Sequence, residues 1–220
     1  MASHEFAGAP AEPLDATVAQ ESVWSGGGSP YAIGSKKLGM WLFIISDAIT
    51  FSALLIAYSY VRVASVDWPM PFHFWPSIVK AAVMTFVLLT SSVTMVMAVR
   101  AAKLGERLSA AKWIGATMLG GITFIILHAF EWVSLIEEGV RLFKNPWGQP
   151  LFGAAFFTLT GLLMTHVAIG VVYLGVIAAA FGSGKLSSED VEVSGLYWHF
   201  VDLVWMFIFP LVYLLSVRRG

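Results

Sequence analysis

The sequence predicts an all-α integral membrane protein, a bundle of five transmembrane helices. Only 12% of its 220 residues are charged while 58% are hydrophobic, and the mean hydropathy is +0.77. A soluble domain carries about 25% charged residues, so this composition points to a bilayer rather than an aqueous setting. Five apolar stretches, at roughly 38–62, 76–99, 113–136, 152–181 and 196–217, form the second observation. Each exceeds the ~20 residues that cross ~30 Å of hydrocarbon at 1.5 Å per residue. The third is their texture. The runs are continuous, not alternating, and about twice the length of a membrane strand, which excludes a β-barrel.

Residues 1–35 are of different material, rich in Ala, Gly, Pro and Ser, with Glu5, Glu12, Asp15 and Glu21 but neither lysine nor arginine. A secretory signal needs a basic start and an apolar middle, and a mitochondrial presequence needs arginine; this stretch has none of them. It is expected to be a mobile tail. The alternative is a strap onto a neighbouring subunit, anchored by Trp24 and Tyr31. The transmembrane domain then occupies 36–220. Its first stretch follows Lys36-Lys37 and closes at Asp67-Trp68-Pro69-Met70-Pro71. The second runs into a basic cluster from Arg100 to Lys112. Asn145-Pro146-Trp147-Gly148 separates the third from the fourth, and Gly182-Ser183-Gly184 ends the fourth. No internal repeat is detectable, so an inverted-repeat transporter gains no support.

A net charge of −1 provides no basic field for nucleic acid. The absence of cysteine excludes disulfides, thiolate metal sites, iron–sulfur clusters and a cysteine nucleophile. Lysine and arginine in the flanks set orientation. Lys36, Lys37, Arg100, Lys103, Arg107, Lys112 and Lys185 fall on one side; Arg62, Lys80, Arg141, Lys144, Arg218 and Arg219 fall on the other. The dense Arg100–Lys112 cluster and the Lys36-Lys37 pair favour the first side as cytoplasmic. The N-terminus is therefore expected inside and the C-terminus outside. Trp68, Trp75 and Trp147 then form an outer aromatic belt, with Trp41 and Trp113 nearer the inner face.

Ionisable side chains within hydrocarbon cost a few kcal/mol by insertion scales and are hidden against protein or water. Six lie within the predicted spans: Asp47, His128, Glu131, His166, His199 and Asp202. The second span carries only hydroxyls (Thr85, Thr90, Ser91, Ser92, Thr94). His128 and Glu131 are three apart and share a helix face, as do His199 and Asp202. Three histidines and three carboxylates are the donor types of a metal centre. A helical di-metal site, however, requires Glu-x-x-His motifs on two helices, and the order here is reversed. Depth argues the same way: Asp47 and Asp202 sit about 10–15 Å from the inner surface and Glu131 about 25 Å. The reading that follows is polar cohesion between helices, at about 0.5–2 kcal/mol per bond. Proton transfer through Asp47 or Glu131 is the alternative.

One stretch carries a resemblance to a known family. Tyr197-Trp198-His199-Phe200-Val201-Asp202-Leu203-Val204-Trp205 resembles the last-helix signature of cytochrome c oxidase subunit III, Tyr-Trp-His-Phe-Val-Asp-x-Val-Trp. Others follow in the family's order. Gly39-Met40-Trp41-Leu42-Phe43-Ile44-Ile45-Ser46-Asp47 is similar to its Gly-Met-x-Leu-Phe-Ile-x-Ser-Glu segment. Leu88 to Thr94 resembles the hydroxyl-rich second helix of the five-helix form, and His128-Ala129-Phe130-Glu131-Trp132 resembles Gln-Ala-x-Glu-Tyr/Trp. Phe152-Gly153, Phe156-Phe157, Thr160-Gly161 and His166-Val167 track the fourth helix. Three departures stand out. Asp47 replaces the usual glutamate, His128 replaces glutamine, and the first histidine of Thr-Gly-Phe-His-Gly-x-His is Leu163, leaving His166 alone.

The resemblance covers about 31–217 and is closest to the five-helix bacterial form, without the two extra N-terminal helices of the seven-helix form. It implies an accessory subunit of a proton-pumping haem–copper terminal oxidase in a bacterial cytoplasmic membrane. Such a subunit has no redox centre of its own. It packs on catalytic subunit I, with subunit II and a small subunit IV as further partners, and haem and copper reside in those partners. It holds phospholipid and sustains proton uptake. Asp47, His128, Glu131, His166, His199 and Asp202 are then candidates for the buried polar network and for lipid or subunit contact, with no catalytic or metal-binding role. Two other readings stay open: a subunit-III-like accessory protein of a nitric oxide reductase system, and a stand-alone membrane metalloenzyme.

Overall fold

The computed structural model describes residues 34–218 and contains five long helices. They are α1 (Ser35–Ala64), α2 (Val79–Lys103), α3 (Arg107–Glu137), α4 (Pro150–Gly182) and α5 (Ser188–Ile208). All five are long and apolar enough to cross a membrane, and the chain is a membrane protein of the all-α class. The expected tail falls almost wholly outside the described residues, as do its anchors Trp24 and Tyr31.

Local chemistry sets the helix ends. Leu104–Glu106 alone joins α2 to α3, and Gly105 turns the chain with φ of 78°, a left-handed conformation that glycine adopts without strain. Pro150 starts α4, where its fixed φ suits a first-turn position and its missing N–H costs nothing. At the far end of α5, Pro210 lacks an N–H and its ring crowds the preceding carbonyl. Regular α-helix therefore gives way to a π turn at Phe209–Tyr213 and a 3₁₀ turn at Leu214–Ser216.

Two helices begin earlier than their apolar stretches. α3 starts at Arg107 rather than near 113, and α5 at Ser188 rather than near 196. A helix continues past the hydrocarbon wherever its polar first turns find partners. In α5 the Asp190 carboxylate accepts from the Ser187 N–H at 2.9 Å and from the Ser187 hydroxyl at 2.8 Å.

Chain order is not spatial order. α5 packs against α1, α2 and α4, and α3 packs against α2 and α4, while the principal neighbours of α1 are α4 and α5. Apolar side chains gain little by leaving lipid for protein, so close packing and hydrogen bonds must hold the bundle. Glycine makes the approach possible at Gly121 of α3. An added Cβ there would lie 2.5 Å from the Trp198 ring of α5. Trp198 and Trp205 fill the interior, each at most 1% exposed.

Candidate functional site

The six ionisable groups separate into three places. The first joins α1 to α4. His166 Nε2 lies 3.2 Å from Asp47 Oδ2, an ion-pair distance whose angle falls short of a directed hydrogen bond. His166 Nδ1 is 2.8 Å from the Leu162 carbonyl, which can only accept, so Nδ1 carries a hydrogen. Phe51 covers the imidazole edge-on at 5.3 Å, and the Tyr197 hydroxyl donates to the His166 carbonyl at 3.0 Å.

The second place is the seam between α2 and α5. Ser92 Oγ donates to Asp202 Oδ2 at 2.7 Å, while Asp202 Oδ1 is buried without a partner. One turn earlier, His199 lines a groove of about 390 Å³ with Val96, Val99, Leu104, Gly195 and Leu196. Arg100, Lys103 and Glu192 line it too. His199 is thus only half-buried, on the outer surface of the bundle.

The third place lies within α3 and faces the interior. His128 is wholly buried and Glu131 is 3% exposed. His128 stacks on Phe124 at 5.5 Å and meets Trp205 edge-on at 5.8 Å, yet both its ring nitrogens are unpartnered. A buried polar group left without a bond costs about 1–3 kcal/mol, so this placement is not simple inter-helix glue.

Two further sets of residues were missed in the sequence. At the end of the bundle where α1 begins, Lys36 pairs with Asp190 at 2.6 Å, Lys37 with Glu192 at 2.5 Å and Lys103 with Glu192 at 2.8 Å. These contacts tie α1 and α2 to the start of α5. The Ser187-x-x-Asp190 spacing is a helix-start signal that would have put Asp190 and Glu192 on a helix. The other set consists of indole–hydroxyl bonds. Trp198 Nε1 donates to Ser91 Oγ at 3.0 Å, Trp205 Nε1 to Thr85 Oγ1 at 2.9 Å, and Trp132 Nε1 to Thr160 Oγ1 at 3.2 Å. Thr85 and Ser91 thereby find their partners in α5, and no sequence spacing links them.

Among the described residues, no group of three or more His, Cys, Asp or Glu side chains comes together in a way that could hold a metal ion. The reading as a stand-alone metalloenzyme gains no support from this geometry. Five membrane-crossing helices, with their ionisable groups divided among separate seams, define a polytopic membrane subunit built around packing. The family model described as Cytochrome c oxidase subunit III matches residues 15–217. The chain is 32% identical over 183 residues to Quinol oxidase subunit 3 of Bacillus spizizenii, covering 82% of this chain and 87% of that one. It is 30% identical over 186 residues to Cytochrome c oxidase subunit 3 of Alkalihalophilus pseudofirmus, covering 83% and 88% respectively. Cytochrome bo(3) ubiquinol oxidase subunit 3 of Pseudomonas aeruginosa is 29% identical over 186 residues, covering 83% and 86%. The chain belongs to the cytochrome c oxidase subunit III family. As a subunit III it is a non-catalytic component of a haem–copper oxidase, associated with the other oxidase subunits. Its relatives' names span cytochrome c and quinol oxidases.

Proposed function

We propose that this subunit stabilises the catalytic subunit of a proton-pumping terminal oxidase, holds phospholipid and supports proton uptake, without a redox centre of its own. Subunits I and II, and a small subunit IV, are its partners under this reading. The observation that carries it is the division of the polar groups. The Asp47–His166 pair and the Ser92–Asp202 bond each join two helices, which suits cohesion rather than local chemistry. The groove between α2 and α5 is lined by apolar side chains together with Arg100 and the Lys103–Glu192 pair, and Arg100 suits an anionic headgroup above an acyl chain. The Arg100–Lys112 cluster and Lys36-Lys37 support a cytoplasmic N-terminus and an outside C-terminus in a bacterial inner membrane.

Purification of a tagged chain from detergent-solubilised membranes tests this reading directly. A haem spectrum and oxidase subunits should accompany it, and the separated chain should contain neither haem nor copper in stoichiometric amount. Stoichiometric haem or copper on the isolated chain would overturn the proposal. Asp47→Ala probes the site. The complex should still assemble but lose activity faster during turnover, and an unchanged turnover lifetime removes Asp47 from the function.

A further inference from the structure

We propose that the groove between α2 and α5 selects an anionic phospholipid over a zwitterionic one, with the phosphate held at Arg100 and an ester carbonyl accepting from His199 deeper in the membrane. The inference rests on the reading of this groove as a lipid site, and adds the lipid's charge and its pose. The groove encloses about 390 Å³, within the range of about 300–1,000 Å³ usual for small-molecule sites. Val96 and Leu104, which line it, are 53% and 65% exposed, so it opens on the outer face of the bundle.

The lining residues fall into tiers. Lys103 and Glu192, paired at 2.8 Å, mark one level at the end of the bundle where α1 begins. On α2, Arg100 comes three residues deeper than Lys103 and Val96 seven; on α5, Leu196 comes four residues deeper than Glu192 and His199 seven. At 1.5 Å per residue, Arg100 lies about 4.5 Å below the pair and His199 about 10 Å below it. Charge is uneven along the same line. Glu192 accepts from both Lys37 at 2.5 Å and Lys103 at 2.8 Å, so three cations, with Arg100, stand against one carboxylate. Arg100 forms no ion pair among the described residues. A singly anionic headgroup at this level offsets the excess, whereas a choline or ethanolamine headgroup would add a further cation. A neutral imidazole always presents one N–H, so His199 can donate to an uncharged acceptor about 5 Å beneath the phosphate, the level of a glycerolipid's esters. Val96, Val99 and Leu196 then wall the start of an acyl chain. An acidic side chain from a neighbouring subunit would neutralise Arg100 but leave the apolar walls and the His199 donor unmatched.

Photolabelling of the intact oxidase complex with a diazirine-bearing phosphatidylglycerol tests the proposal. The labelled residues are mapped by mass spectrometry, and the label is competed with plain phosphatidylglycerol or with phosphatidylcholine of the same chains. Labelling within 96–104 and 195–199 is expected. Phosphatidylglycerol should displace it at about five-fold lower concentration than phosphatidylcholine, the discrimination expected of one basic side chain beside an anionic lipid. Equal displacement overturns the selectivity while leaving the groove a lipid site. Labelling elsewhere in the complex but not here, as a groove covered by protein would give, overturns the site itself. Arg100→Gln should erase the discrimination, and a retained preference overturns the place given to the phosphate. His199→Leu should weaken both competitors alike and keep the preference, and unchanged displacement overturns the ester contact. Should that variant fail to assemble, Val96→Trp, at an exposed position of the same tier, should fill the groove and cut labelling several-fold; undiminished labelling overturns the pose.

Discussion

α1 and the last membrane-crossing segment, α5 with the π and 3₁₀ turns that follow it, are both apolar and of similar length, yet they meet opposite surroundings. In the most apolar part of α5, 50% of residues are buried; in that of α1, 11% are. α5 is enclosed by three neighbours, and its interior positions carry Trp198, Tyr197, Asp202 and Trp205, each bonded or stacked to another helix. α1 turns Leu42, Ile45, Ile49 and Ile56 outward and keeps Ile44, Phe51 and Tyr58 for its neighbours. Hydrophobicity alone therefore does not separate an inner helix from an outer one in a membrane. Polar and aromatic side chains with fixed partners do.

The contrast can be broken by substitution. Trp205→Ala should have the largest effect, about 3 kcal/mol, because it leaves a cavity and frees Thr85, although the fully water-referenced cost does not apply in lipid. Thermal unfolding of the complex in mild detergent measures it, and a loss below about 1 kcal/mol would deny α5 its special place. Glu192→Gln removes the carboxylate shared by Lys37 and Lys103 at 2.5 and 2.8 Å. Its partners are partly solvated, so the loss should stay under about 1 kcal/mol and shrink further at high salt. A large, salt-independent loss would show that this end of the bundle depends on the residue more than on packing. Ile49→Ala, at a position 66% exposed, should change unfolding by less than about 0.5 kcal/mol. A larger change in the intact complex would mark the outward face of α1 as covered by another subunit.

The helices were legible because hydrocarbon demands long apolar runs, and nothing in water or in a sheet asks for the same pattern. Their polar ends were less so. Ser188 to Ser194 reads as a loop by hydropathy, yet it is helical because Asp190 and Glu192 find lysines on α1 and α2. Within the candidate site, the face-sharing of His128 with Glu131 followed from their spacing. That Asp47 meets His166 did not, since pairing between helices depends on how the bundle closes. The stacking of Tyr213 on Phe72 was harder still to read. A π turn set by Pro210 alters the helical register just before it, and an α-helical count through Phe209 no longer predicts which way the phenol faces.

The ties between the first and last helices have a consequence for how the protein is made. Lys36 finds Asp190 only after 154 further residues, and Asp47 waits 119 (166 − 47) for His166. At roughly 5–20 residues per second, the ribosome needs about 8–30 s to deliver the last helix. Until α4 and then α5 follow, the first helix lacks its packing neighbours, and Asp47 must be sheltered by the insertion machinery or by lipid headgroups. Biogenesis, and not the finished bundle, is thus the stage at which this subunit is most exposed to quality control.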